Sequence, residues 1–145
     1  MFERILVVCT GNICRSPMAA ALLGHNLASH NPAVEVQSAG LAALVGYPAD
    51  PLAQELLRER GIDLSDHRAR QLTAAMVMDA DLVLAMETAQ VKMVESMLPG
   101  ARGRVHRLGK AGAFDVPDPY GRSRDTFVQA LGLIDQGLTD WQSRL

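Results

Sequence analysis

Cys9 and Arg15, with five residues between them, hold the chemistry most readily read from this sequence. They stand in Cys9-Thr10-Gly11-Asn12-Ile13-Cys14-Arg15-Ser16, between the apolar run Ile5-Leu6-Val7-Val8 and an Ala/Leu-rich helical pattern that starts near Met18. A tight loop between a strand and a helix start aims backbone N–H groups at one point, and the positive end of the helix dipole favours an anion there. Gly11 and Asn12 suit the positive φ that such an amide nest requires. Thr10, Ile13 and Cys14 are expected to add mainly backbone donors. The planar fork of Arg15 suits two oxygens of a phosphate-like group. Left without an anion, a cation in a first helical turn would be misplaced. A cysteine in such surroundings is expected to lie as the thiolate, a strong nucleophile. An anion cradle, a thiolate and an arginine together point to phosphoryl transfer onto sulfur.

The elements that must position these groups alternate between strand and helix signals, which implies a parallel sheet with helices on its faces. Strands are expected at Arg4–Val8, Val34–Ser38 and Leu82–Met86, with a short fourth at Val105–Leu108. Ser16 reads as an N-cap and Pro17 as the first residue of a helix that runs to about residue 29. Further helices are expected at Ala53–Arg60, stopped by Gly61, at Leu72–Met78 and at Glu87–Leu98. The last helix, Asp125–Leu145, carries Phe127, Leu131, Ile134, Leu138 and Trp141 on one stripe. Lys110–Arg122 reads as loop. The cradle then lies at the carboxyl end of the first strand, where open α/β sheets bind ligands.

The chain has 145 residues, is 48% hydrophobic and carries a net charge of −2. That implies a single domain over residues 1–145 with a packed core, and it offers no basic excess for a nucleic-acid partner or a membrane surface. No apolar run reaches transmembrane length, and the opening apolar stretch is too short for a signal peptide, so a cytoplasmic protein without membrane insertion is expected. His25, His30 and His106 show no ligand spacing, and no metal is assigned. Cys9 and Cys14 sit in one loop and cannot staple a framework. They are expected instead to form a reversible disulfide under peroxide, which would spare Cys9 from overoxidation.

The stretch Cys9 to Ser16 with Pro17, together with Asp118-Pro119-Tyr120, resembles the low-molecular-weight protein tyrosine phosphatases, and the resemblance extends along almost the whole chain. It implies a four-stranded parallel sheet flanked by helices on both faces, with the phosphate-binding loop after the first strand. An Asp before Pro is by itself common turn chemistry. The expulsion of a phenolate, however, needs a proton donor. The resemblance selects Asp118 for that role, with Asp115 as the fallback. It also implies that the Ser16 hydroxyl donates to Cys9, that Ile13 and Leu44 form substrate walls, and that Ser38 and His67 join a hydrogen-bond network around Asn12. Tyr120 is expected to line the mouth and stack on the substrate ring. Leu44 stands where animal members often carry a large aromatic residue, and Gly121 where they tend to have a second Tyr, so the chain resembles the bacterial branch.

The expected reaction is hydrolysis of protein phosphotyrosine through a Cys9 phosphothioester. No cofactor is expected, and inorganic phosphate would be both product and inhibitor. By resemblance the substrate would be an autophosphorylating bacterial tyrosine kinase that controls capsule or exopolysaccharide assembly, and the enzyme a monomer. Two alternatives stand beside this reading. One is an arsenate reductase of the same fold that borrows external thiols, since Cys9 and Cys14 do not complete an internal relay. The other is a non-catalytic phosphotyrosine-binding module, against which the presence of both Cys9 and Asp118 argues.

Overall fold

The computed structural model describes residues 2–145. Four strands, β1 (Arg4–Cys9), β2 (Glu35–Gly40), β3 (Leu82–Ala85) and β4 (Val105–Arg107), form one sheet in the order β2-β1-β3-β4. All the pairings are parallel, with Val7 of β1 opposite Ser38 on one side and Leu84 on the other. β1 is therefore central, and its uninterrupted apolar run suits a strand covered on both faces.

Alternation along β1 divides the core. Ile5, Val7 and Cys9 pack into the cluster that holds Met18, Leu22 and Leu23 of α1 (Arg15–Leu27), Leu56 and Leu57 of α2 (Pro51–Arg58), and Phe127, Ile134 and Leu138 of α5 (Arg124–Gln142). Leu6 and Val8 face the other way, against Val77 of α3 (Ala74–Asp79) and Val94 of α4 (Thr88–Met97). The period-2 geometry of a strand thus sends successive side chains of one segment into two cores. A 3₁₀ turn, Pro99–Ala101, joins α4 to β4.

Element bounds follow the expected ones within a few residues, and two local readings are corrected. Ser16 does not cap α1: the helix starts at Arg15, the cap position is Cys14 without a side-chain bond, and the Ser16 hydroxyl turns inward. The loop feeds the helix directly, so its first amides stay free to meet a ligand. Asn12 alone in the loop has positive φ, at 59°, and Gly11 does not. α2 also begins two residues early, because Asp50 accepts from the Leu52 amide and Pro51 opens the helix. Gly61 stops α2 with a φ of 76°, as expected.

Candidate active site

The loop from Cys9 to Arg15 is held open by bonds made on its outside. The carbonyls of Cys9, Thr10 and Gly11 accept from the amides of Leu41, Ala42 and Leu44, and that of Ile13 accepts from Asp50 at 2.8 Å. The Asn12 carbonyl accepts from the His67 ring at 2.6 Å. No peptide here is cis, and in a planar trans peptide the N–H points opposite to the C=O. Five carbonyls anchored outward therefore leave the amides of residues 10 to 14 facing inward. The segment after β2, residues 41 to 50, is thus the outer wall of the cradle.

Asn12 is fixed from several directions. Its side-chain amide donates to Ser16 at 2.8 Å and to Ser38 at 3.0 Å, and its side-chain oxygen accepts from the Arg70 amide at 2.9 Å. Those bonds offset the cost of a left-handed backbone at a non-glycine residue. The structure brings Ser38 and His67 to Asn12, as the sequence reading expected. It adds Arg70, whose guanidinium also ties down the Ser38 carbonyl.

Cys9 lies at the floor, with its Sγ 2.9 Å from the Ser16 Oγ. The Ser16 oxygen accepts from Asn12, so its own proton is free to point at the sulfur. A thiolate can only accept, and the chain Asn12 to Ser16 to Cys9 supplies donors in one direction. Cys14 is buried nearby. Burial, then the carboxylates of Asp50 and Asp118, push its thiol far above the ordinary value, so it stays protonated.

Arg15 is only 1% exposed. One terminal nitrogen donates to the Glu87 carboxylate and, at 2.8 Å, to the Val116 carbonyl. The other lies 3.7 Å from Asp118. Its Nε is buried and has no partner. Buried donors are almost always satisfied, so this one calls for an acceptor from outside the chain. Glu87 was not singled out in the sequence. A Glu at the start of a helical pattern reads as a cap, and it does close a capping box with Gln90. Gln90 likewise reaches the Thr10 hydroxyl at 3.1 Å.

Cys9, Thr10, Gly11, Ile13, Cys14, Arg15, Leu44, Asp118 and Tyr120 line one cavity of about 180 Å³, together with Ala42, to which no motif pointed. Asp118 sits at the rim, 48% exposed, with one oxygen accepting from the Tyr120 amide at 3.1 Å. Asp115, the fallback acid, lies outside this cavity. It is engaged by Thr88 and by Arg107 at 3.1 Å, and despite partial burial those donors hold its carboxyl below the ordinary range. Among the described residues no group of three His, Cys, Asp or Glu side chains is arranged to hold a metal ion. Nor is any helix long and apolar enough to cross a membrane.

Comparison with known proteins agrees with this geometry. Residues 4–145 match the family model described as low molecular weight phosphotyrosine protein phosphatase. The chain is 50% identical, over its full length and 97% of the relative, to the probable low molecular weight protein-tyrosine-phosphatase EpsP of Ralstonia nicotianae. It is 40% identical to Wzb, a low molecular weight protein-tyrosine-phosphatase of Escherichia coli K12, over its full length and 97% of that protein. Among solved structures, Vibrio vulnificus Wzb in complex with benzylphosphonate superposes over the whole of both chains with a TM-score of 0.93 at 40% identity.

Proposed function

The chain belongs to the low molecular weight phosphotyrosine protein phosphatase family, and from that premise we propose that it hydrolyses protein phosphotyrosine in two steps through Cys9. The observation that carries this reading is the shared cavity: a thiol at the floor, an arginine with an unpartnered buried N–H in the wall, and a carboxyl group at the rim.

In the first step the Cys9 sulfur attacks phosphorus while the loop amides and Arg15 hold the equatorial oxygens. The S–P bond forms and the P–O bond to the tyrosine breaks. Asp118, in its acid form, gives its proton to the leaving phenolate. In the second step the Asp118 carboxylate takes a proton from water. The resulting hydroxide displaces the cysteine, phosphate leaves, and the sulfur returns as thiolate stabilised by Ser16. Phosphate fits the same cradle and so inhibits as product. Ile13, Leu44 and Tyr120 bound the space beside the cradle where the tyrosine ring would lie. Arg15 and the amides meet the charge that develops, and no step calls for a cofactor.

The substrate we assign is a phosphotyrosine protein, specifically an autophosphorylating bacterial tyrosine kinase of capsule or exopolysaccharide assembly. The bacterial relatives EpsP and Wzb are named as protein-tyrosine-phosphatases, which supports the phosphotyrosine-protein part of this choice. The enzyme would act in the cytoplasm as a monomer, with residues 1–145 as one phosphatase domain. The test is rapid-quench trapping with a radiolabelled aryl phosphate. We expect label on Cys9 in the wild type, acid-stable and proportional to enzyme. Cys9→Ser should lose turnover yet still capture phosphotyrosine protein from extract. Retained turnover by Cys9→Ser, or label elsewhere, would overturn the mechanism.

A further inference from the structure

A second concavity, about 520 Å³, adjoins the active-site cavity and shares Asp118 with it. Its lining includes Glu87, Asp115, Arg122 and Thr126. At first sight three carboxylates make it acidic, but the pairings reverse that reading. Glu87 is spent on Arg15, and Asp115 on Arg107. Asp118 faces the other Arg15 nitrogen at 3.7 Å. Arg122 is different. Among the described residues its guanidinium makes no ion pair and no side-chain hydrogen bond, while its backbone is fixed by a bond from its amide to the Pro119 carbonyl at 3.0 Å. It sits four residues after the catalytic carboxyl group, past Gly121, whose φ of 73° turns the chain. The one charged side chain of this lining without a charged partner is therefore a cation, and the groove that holds it shares Asp118 with the active-site cavity.

We propose that Arg122 is a specificity-determining residue that pairs with an acidic side chain flanking the phosphotyrosine of the substrate. This rests on the phosphotyrosine reading given above and adds to it the character of the surrounding peptide. A guanidinium suits a carboxylate in two-point contact. Because the site is open to solvent, the pair is modest and screened by salt. It acts after the phosphotyrosyl group is seated, so it discriminates between peptides rather than enabling the reaction.

The test compares phosphotyrosyl peptides that differ only in bearing Asp or Ala at single positions within three residues of the phosphotyrosine. Each kcat/KM is divided by that for a small aryl phosphate in the same variant, which removes any general effect on the enzyme. At low ionic strength the wild type should favour the best acidic peptide by about 2–5-fold. Arg122→Ala should abolish that preference, Arg122→Lys should keep part of it, and Arg122→Glu should invert it. Raising the salt to about 0.5 M should shrink the wild-type preference towards unity. Equal rates for acidic and neutral peptides in the wild type would overturn the inference. So would a preference that survives Arg122→Ala. If no phosphotyrosyl peptide were hydrolysed at all, the phosphatase reading itself would fall, a result distinct from hydrolysis without preference.

Discussion

A buried guanidinium must find acceptors or lose several kcal/mol of hydration, and Arg15 finds only some of them within the chain. Glu87 and the Val116 carbonyl fix one nitrogen. That leaves the buried Nε without a partner, on a side chain that lines the cavity where a phosphoryl group would sit. Asp118 is the opposite case: 48% exposed, with one oxygen accepting from the Tyr120 amide and the other 3.7 Å from Arg15. Replacing it with Asn preserves the acceptor for the Tyr120 amide and removes only the acid. We expect Asp118→Asn to slow formation of the phosphocysteine by about 10²–10⁴-fold for a phenolate leaving group, and far less for an activated nitrophenolate. Single-turnover measurements across a series of aryl phosphates would show this as a steeper dependence on leaving group; equal losses throughout would assign the proton to another residue. Cys14 belongs to the same scale. It is kept as a thiol by burial, in the wall of the cavity that Cys9 floors. We propose that peroxide takes Cys9 to the sulfenic acid and that the Cys14 thiol condenses with it, forming a disulfide and releasing water. Mass spectrometry after mild peroxide should show the Cys9–Cys14 link in the wild type and sulfinate on Cys9 in Cys14→Ser. Sulfinate in both would remove Cys14 from that role.

At the scale of elements, the cradle depends on how closely β2 can approach the loop. Gly40, paired with Cys9 across the sheet, is where this limit is set. A Cβ there would lie 2.5 Å from the Thr10 carbonyl oxygen, 3.0 Å from the Asn12 Cβ and 3.1 Å from the Ala43 Cβ. The first of these is backbone and cannot swing aside, so Gly40→Ala must push the loop itself. Displacements near 1 Å at a reacting centre cost up to about 10²-fold in rate, and we expect kcat for Gly40→Ala to fall by at least about 10-fold. Gly24→Ala is the control: nothing lies within 4 Å of that position in α1, and it should raise stability by about 0.5–1 kcal/mol with kcat unchanged. Steady-state kinetics and thermal melts of the two variants would separate site geometry from fold. The same contact explains what the sequence made legible. Cys9, Arg15 and the strand before them lie in one continuous stretch, so their joint chemistry could be read locally. Asp118, over a hundred residues away, came only through the resemblance. Glu87, Gln90, Arg70 and Ala42 are ordinary residue types whose roles exist only once β3, α4 and the residues after β2 lie beside β1. Of the two roles read for Ser16, the cap is not formed, while the hydroxyl does lie 2.9 Å from the Cys9 sulfur; a cap and an inward-facing hydroxyl look alike in sequence.

On the scale of the whole molecule, the site is gathered at the carboxyl ends of the parallel strands, from four stretches that follow β1, β2, β3 and β4. The core on the α1 face of the sheet holds these stretches in register. α5 packs on α1 through Phe127, Ile134 and Leu138, and the Trp141 ring nitrogen donates to the Leu108 carbonyl at 3.0 Å, just past β4. His106 of β4 lies against the Trp141 ring at 5.5 Å between centroids. His67, at the back of the cradle, and His106, beneath α5, share an electrostatic property. Burial lowers both below the ordinary 6.5, helped by Arg68 and Arg70 at the first and Lys110 at the second. The sign of the consequence follows from proton linkage. Each ring binds its proton less readily folded than unfolded, so the unfolded state gains protons first as pH falls. The stability from the two neutral rings is fully present above pH 6.5 and is lost as pH drops from there through the lowered folded values. A second decline begins only below the ordinary carboxylate value of 3.8, where Asp63, Asp81 and Asp115, all held lower by their donors, become protonated. The urea midpoint should therefore be level from about pH 7 to 8, begin to fall as pH drops below 6.5, and fall again below 3.8. The double variant His67→Gln with His106→Gln should keep the acid limb and lose the first decline, since Gln can still donate to the Asn12 carbonyl but does not titrate. A wild-type midpoint that is the same at pH 5 and pH 7.5, or a double variant with the wild-type slope, would show that these rings do not govern the neutral-to-acid limb.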